Sequence, residues 1–389
     1  MVTLGIDVLL SGSMPWKKGQ RVGLLCNQAS VNRDFVHTRT LLQQRPGVEL
    51  SCLFSPQHGF YGEKQDNMIE SAHGVDAQTG VVVFSLYGET RQPTDWMFSH
   101  LDVLLVDIVD VGTRVYTFLY TLAYCLEAAA KYGRKVVVLD RPNPLGGDAV
   151  EGNILDMEYS SFVGRYPLPM RHGLTFGELA GYLNREYGIN AELEVVPMRG
   201  WKRSMYYRDT GLNWVFPSPN MPTPETAVVY PGQVIWEGTS VSEGRGTTLP
   251  FELVGAPWLE HQPILEKLAE SNLPGCFFRP LVFEPTSGKY AGTPCIGFQL
   301  HVTDRLSFKP YRTSLVLLQA VYLLYPESFE YKQPPYEYEY EKLPMDLILG
   351  DRVIRENLEQ GMPVAELERS WQEALGSFDQ LRRQYFIYS

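Results

Sequence analysis

The chain has 389 residues, 44% of them hydrophobic and 20% charged. That is the profile of an ordinary globular protein and excludes a disordered, collagen-like or fibrous chain. At roughly 100–200 residues per domain the length implies two domains, with enough buried surface to fold without a disulfide or metal staple. The formal net charge of −11 argues against a general nucleic-acid binder and against adhesion to an anionic membrane.

The first half alternates between apolar runs and amphipathic segments. Strands are expected at Arg21–Cys26, Glu49–Phe54, Val81–Ser85, Leu101–Ile108, Lys135–Asp140 and Glu192–Val196. Helices are expected at Phe35–Arg45, Tyr116–Tyr132 and Thr175–Tyr187. Thr175 and Glu178 have the spacing of a capping box. Continuous Val/Ile/Leu strands separated by helices indicate an α/β, Rossmann-like, doubly wound and mostly parallel sheet, buried on both faces. Such sheets bind ligands beyond their carboxyl ends. Here those ends carry Asn27, Gln57-His58, Tyr87, Asp107, Asp110 and Asp140-Arg141-Pro142-Asn143. No G-x-G-x-x-G and no P-loop follows a strand, so no nucleotide cofactor is expected.

From about residue 198 the character changes. A Pro-rich stretch (Phe216–Gly232) and a Gly-rich polar loop (Trp236–Glu252) lead to a strand at Cys295–Thr303 and a helix at Tyr311–Tyr325. A Tyr/Glu run at Tyr336–Glu341 precedes a helical region at Pro363–Gln384. The expected division is a Rossmann-like domain over 1–197 and a smaller α+β domain over 198–389, sharing a cleft. The five cysteines, Cys26, Cys52, Cys125, Cys276 and Cys295, have no CxxC spacing and read as buried free thiols. No apolar run reaches the ~18 residues of a membrane helix. The N-terminal MVTLGIDVLL has no leader-like features, so the expected compartment is the cytoplasm, or the periplasm or exterior if a leader has been removed.

Five polar clusters could carry chemistry. The loop Ser55–Asn67 holds Gln57, His58, Glu63 and Asp66, and a His beside carboxylates can carry a proton or clamp a sugar. Asp107 and Asp110 end a buried strand, followed by Arg114 and Tyr116; a carboxylate there either pairs structurally with an arginine or holds substrate. Asp140, Arg141 and Asn143 leave the next strand, and the Asn143 amide suits a hydroxyl or acetamido group. Arg171 and His172 precede a helix N-terminus. Ser218, Asn220, Glu237, Ser242, Glu243 and Arg245 form the second domain's set, with the two glutamates in a loop suited to lie over the first domain. There is no HExxH, EF-hand or G-x-S-x-G pattern, so neither a metal nor a serine nucleophile is expected. Carboxylates, amides and a few arginines without a cofactor suit glycoside hydrolysis, which needs a proton donor and a second group for water or the oxocarbenium ion.

The stretches GLLCNQASVN, SPQHGFYGE, DIVDVGTRVYTF, VVLDRPNPLGG, FVGRYPLPMRHGLTFGELA, SPNMPT and EGTSVSEGRGTTLPFELVGAP resemble, in this order, a bacterial family of exo-β-N-acetylmuramidases once known only as a domain of unknown function. The resemblance covers nearly the whole chain. It implies a Rossmann-like domain, a smaller C-terminal domain, and release of N-acetylmuramic acid from the non-reducing end of peptidoglycan fragments. It also implies that the substrate's lactyl carboxylate meets one of Arg114, Arg141, Arg171 and Arg245, with Arg245 or Arg171 favoured. One position departs. The family's strand-end loop reads Pro-Glu-His-Gly, with Glu as the proposed catalytic carboxylate, whereas this chain reads Pro56-Gln57-His58-Gly59. A Gln amide cannot donate a proton as an acid. Glu63 is then the nearest replacement, with Asp107, Asp110, Glu237 and Glu243 as further candidates. Asn27, Tyr116, Asp140, Arg141, Asn143, His172 and Asn220 complete the expected substrate contacts. A second reading is a sugar-binding protein that keeps the cleft and lacks the acid.

Overall fold

Apolar runs of four to eight residues between polar turns form the strands, and the computed structural model describes residues 1–389. Nine strands lie in the first half: β1 (Arg21–Leu25), β2 (Glu49–Ser55), β3 (Gly74–Val75), β4 (Val82–Ser85), β5 (Val103–Val106), β6 (Lys135–Leu139), β7 (Glu151–Ile154), β8 (Pro169–Arg171) and β9 (Glu192–Val196). β7 and β8 form a separate antiparallel pair. The other seven make one sheet in the order β3-β4-β2-β1-β5-β6-β9. All its pairings are parallel except that of the edge strand β3. The six parallel strands therefore run third, second, first, fourth, fifth, sixth, the Rossmann order, and the winding reverses between β1 and β5.

Side-chain alternation explains why both faces are covered. Val103 and Leu105 of β5 point into a core with Ile6 and Leu9 of α1 (Gly5–Ser11) and Leu42 of α2 (Thr38–Gln43). Leu104 and Val106 point the other way, against α3 (Asp95–Phe98), α4 (Phe118–Tyr132) and α5 (Phe176–Glu186). The capping box of Thr175 and Glu178 opens α5. The helix expected from Phe35 begins only at Thr38, because Phe35 takes a left-handed φ of 59° and Val31 bridges to His37.

The second half contains α6 (Pro224–Gln233), β10 (Leu253–Ala256), α7 (His261–Ala269), β11 (Cys276–Phe283), β12 (Cys295–Val302), α8 (Pro310–Leu324), α9 (Pro344–Leu349), α10 (Arg352–Glu359), α11 (Val364–Ser370) and α12 (Gln372–Arg382). Its strands form an antiparallel sheet in the order β10-β12-β11. The Pro-rich stretch is not all loop: Thr223 caps α6 and Pro224 occupies its first turn, where a missing N–H costs nothing. The expected C-terminal helical region holds two helices, α11 and α12, which meet at Trp371.

The halves share one apolar core, a continuous cluster from Leu25 to Phe378. Residues just past β9 stay with the first sheet, where Arg199 bridges to Thr3. The chain end returns to it as well, and Tyr388 donates to the Asp140 carboxylate at 2.6 Å. All five cysteines are free, and Cys276 is only partly buried, because it starts the edge strand β11. No helix is long and apolar enough to cross a membrane.

Candidate active site

A cleft of about 450 Å³, including its open mouth, lies between the halves beyond the carboxyl end of β2. Its first wall is the turn after β2, with Gln57 and His58, and the approach to α4, with Tyr116 and Thr117. Its second wall is Ser218 and Asn220, the loop carrying Glu237 and Arg245, and the turn carrying Tyr336 and Glu337. His58 and Gly59 both take left-handed φ, 74° and 82°. That tight reversal is unusual for a non-glycine residue and turns the histidine into the cleft.

Gln57 is buried and fully used. Its Nε2 donates to Tyr87 Oη at 3.1 Å and to Glu337 Oε1 at 3.0 Å, and its Oε1 accepts from Thr117 Oγ1 at 2.5 Å. Tyr87 Oη donates to the other Glu337 oxygen at 2.7 Å. Burial pushes the Glu337 carboxyl above the usual range, and the nearby Glu237 carboxylate adds to this against the pull of Tyr87 and Gln57.

The second carboxylate is held differently. Glu237 accepts from Arg245 Nη2 at 2.6 Å, Tyr336 Oη at 2.6 Å and Asn67 Nδ2 at 3.1 Å. These donors occupy both oxygens, so Glu237 acts as an acceptor. Behind it, Glu243 accepts from Lys289 at 2.7 Å and lies 3.4 Å from Arg245 Nε. Burial acts to raise the Glu243 carboxyl, but Lys289 and Arg245 outweigh it and hold it below its ordinary range. His58 Nδ1 lies 2.7 Å from the Lys64 carbonyl, which can only accept, so Nδ1 carries the hydrogen and Nε2 a free lone pair. Burial, with Arg245 nearby, pushes its pKa down to about 4 and keeps the imidazole neutral.

The comparisons with known proteins agree with one another. A family model described as exo-beta-N-acetylmuramidase NamZ, N-terminal, matches residues 22–225, and its C-terminal counterpart matches residues 228–388. The chain belongs to the NamZ exo-β-N-acetylmuramidase family. It is 45% identical over 387 residues to the peptidoglycan beta-N-acetylmuramidase NamZ of Bacillus subtilis, covering 100% of this chain and 91% of that protein. Crystal structures of two DUF1343 family proteins from Bacteroides fragilis superpose with TM-scores of 0.88 and 0.80, at 34% and 28% identity. Both cover 100% of this chain and 99% of their own.

Of the residues singled out in the sequence, Gln57, His58, Tyr116, Ser218, Asn220, Glu237 and Arg245 line this NamZ-family cleft, and Glu243 backs it. The others lie elsewhere. Glu63 is exposed and accepts from the Tyr61 N–H of its own loop at 3.2 Å. Asp107 is closed off by Arg141 and Thr38, with Arg141 Nη2 at 2.9 Å from Oδ2, and forms the buried ion pair of the Rossmann switch point. Asp110 accepts from the Gly112 N–H at 2.7 Å and lies 3.5 Å from His172 Nε2, inside the turn after β5. Gly112 is required there, since its φ is 74° and a Cβ would strike the Asn143 side chain.

Asp140 binds Thr175, the Gly177 N–H and Tyr388, and so anchors α5 and the chain end. Burial raises its pKa to about 6. Asn143 bridges the Leu145 N–H and the Leu174 carbonyl, and Asn27 donates to the Pro217 carbonyl. Arg171 donates to the Leu145 carbonyl and Tyr206. Arg114 is wholly buried and donates to the carbonyls of Asn153, Leu168, Ile348 and Leu349, which ties the halves together. Strand-end position alone did not separate these structural groups from the cleft groups, because both kinds of polar residue gather there. Conversely, Tyr336, Glu337, Asn67 and Thr117 were not singled out as site residues. The Tyr/Glu run after two prolines is the signal that could have marked the first two.

Proposed function

We propose that the chain is an exo-β-N-acetylmuramidase that releases N-acetylmuramic acid from the non-reducing end of peptidoglycan-derived fragments. The observation that carries this reading is full-length membership of the NamZ family together with a cleft holding two buried carboxyl groups in unlike settings, Glu237 and Glu337. Glycosidic hydrolysis uses such a pair, one group giving a proton and the other stabilising positive charge or steering water.

The remaining groups fit the sugar. Arg245, which lines the cleft beside Glu237, is the cation placed to meet the lactyl carboxylate, in preference to Arg171, which lies outside the cleft against Leu145 and Tyr206. The amides of Asn67 and Asn220 suit hydroxyl and acetamido groups. Tyr116, Tyr230 and Phe251 offer aromatic faces to the ring. The partner in this reading is a small carbohydrate, neither nucleic acid nor membrane.

The test is p-nitrophenol release from the β-glycoside of N-acetylmuramic acid, with calorimetric binding of the free sugar in parallel. Turnover by the wild type is the expected result. Binding without turnover would favour the second reading, a sugar-binding protein that has lost its acid at Gln57.

A further inference from the structure

We propose that Glu337 is the general acid of this enzyme and that Gln57 is the residue that positions it; the proposal rests on the muramidase reading above. The turn that carries Glu337 is built at a conformational cost. Tyr336 and Glu339 exchange both backbone hydrogen bonds, each N–H donating to the other's carbonyl at 2.9 and 3.0 Å. The two residues between them, Glu337 and Tyr338, take φ of 46° and 68°. That is the pattern of a type I′ hairpin turn, where Asn-Gly is the usual pair because both central residues need positive φ. A glutamate and a tyrosine in these positions are strained, and such strain persists only where surrounding contacts over-determine it.

Those contacts are present. The Arg91 guanidinium lies 3.4 Å from the centre of the Tyr338 ring. The Glu337 side chain is driven into the cleft and meets Gln57 and Tyr87. Only 3% of Glu337 is exposed, and no cation pairs with it in the way that Arg245 pairs with Glu237. A buried carboxyl held by two neutral donors, close to the Glu237 carboxylate and with the Arg91 charge acting the other way, can hold a proton. Its hydroxyl oxygen keeps a lone pair for Tyr87, and its other oxygen still accepts from Gln57.

The consequence for the departure at position 57 is direct. A carboxyl group at position 57 would compete with Glu337 for one proton, whereas the Gln57 amide can only donate to it. The acid function has moved across the cleft from the first domain to the second. In the reaction, the C1–O bond breaks with its electron pair on oxygen. The Glu337 proton completes the hydroxyl of the departing sugar. Water adds to C1 and returns a proton to the Glu337 carboxylate, so the cycle balances as hydrolysis.

The experiment compares wild type, Glu337→Gln and Glu337→Asp on two substrates. One is the p-nitrophenyl β-glycoside of N-acetylmuramic acid, whose leaving group needs little protonation. The other is the β-1,4 disaccharide of N-acetylmuramic acid and N-acetylglucosamine, whose leaving alkoxide needs it fully. Loss of a general acid should lower kcat/KM on the disaccharide by about 10³-fold in Glu337→Gln. The aryl glycoside should lose far less, Glu337→Asp should retain part of the disaccharide turnover, and all variants should still bind N-acetylmuramic acid. Equal losses on both substrates, an unchanged disaccharide rate, or a Glu337→Gln protein that no longer binds the sugar would each overturn the assignment. A wild type inactive on both substrates would instead remove the muramidase reading, and this proposal with it.

Discussion

The side-chain amide of Gln57 donates to Oε1 of Glu337 at 3.0 Å, across 280 residues of chain and across the seam between the two halves. The contact joins a strand-end loop of the Rossmann-like sheet to a strained turn of the second domain. It makes position 57 part of a two-residue unit, and it sets the first prediction.

Gln57→Glu places two carboxyl groups within hydrogen-bonding distance. Like charges that close resist double ionisation, so the pair should share a proton and its second ionisation should move up. If the protonated acid is the active form, activity is lost as pH rises through that ionisation. The alkaline limb of kcat/KM for the β-1,4 disaccharide, whose leaving oxygen needs the proton, should therefore move to higher pH by about one unit or more. A pH profile superimposable on the wild type would show that the two side chains do not face each other in the working enzyme. His58 adds no limb above pH 5, because burial holds its pKa down to about 4.

Glu63 and Glu237 should separate cleanly. Glu63 is exposed and satisfies one N–H of its own loop, so Glu63→Gln should leave kcat and KM unchanged. Glu237 accepts from Arg245, Tyr336 and Asn67 inside the cleft. Glu237→Gln replaces an acceptor by a donor facing those groups, and kcat should fall by about 10²–10⁴-fold. Steady-state kinetics on the aryl glycoside reads both. A large loss in Glu63→Gln would put the exposed loop back into the chemistry.

A third prediction concerns stability. Glu151 is buried against the first turn of α8 and accepts from the Arg312 N–H at 2.9 Å. Burial raises its pKa from an ordinary 4.5 to about 7. The folded protein then holds a proton that the unfolded chain has released. This contribution is fully present below pH 4.5 and is lost as pH rises through 7. Glu151→Gln keeps the acceptor and has no charge to bury. Urea unfolding should show little difference from wild type at pH 4 and a gain of ~3 kcal/mol at pH 8. The same difference at both pH values would remove the ionisation of Glu151 as its cause.

The fold of the first half was largely legible in the sequence. Runs such as Lys135–Leu139 and Glu192–Val196 are strands because β-branched and aliphatic side chains suit a sheet buried on both faces. The box of Thr175 and Glu178 marks its helix because both partners lie within one turn. The helix starting at Pro224 was hidden among prolines whose local signal is that of a loop. The strand β11 went unassigned because its solvent-facing side interrupts the apolar run with Arg279 and Pro280, and β10 because four residues that include a glycine are too short a run to stand out.

The sequence by itself determined the family, the α/β class and the absence of a dinucleotide fingerprint, all of which reside in local residue order. Only the tertiary structure decided which polar strand ends line the cleft and which are joints. Asp107 pairs with Arg141, and Asp140 with Thr175 and Tyr388, while Glu237 meets Arg245 in the cleft. The role of Glu337 was equally out of reach of sequence, since its partner lies 280 residues away. A carboxyl group's function is set by its solvation and by the donors around it, and both are properties of a packed interior that a linear order of residues does not contain.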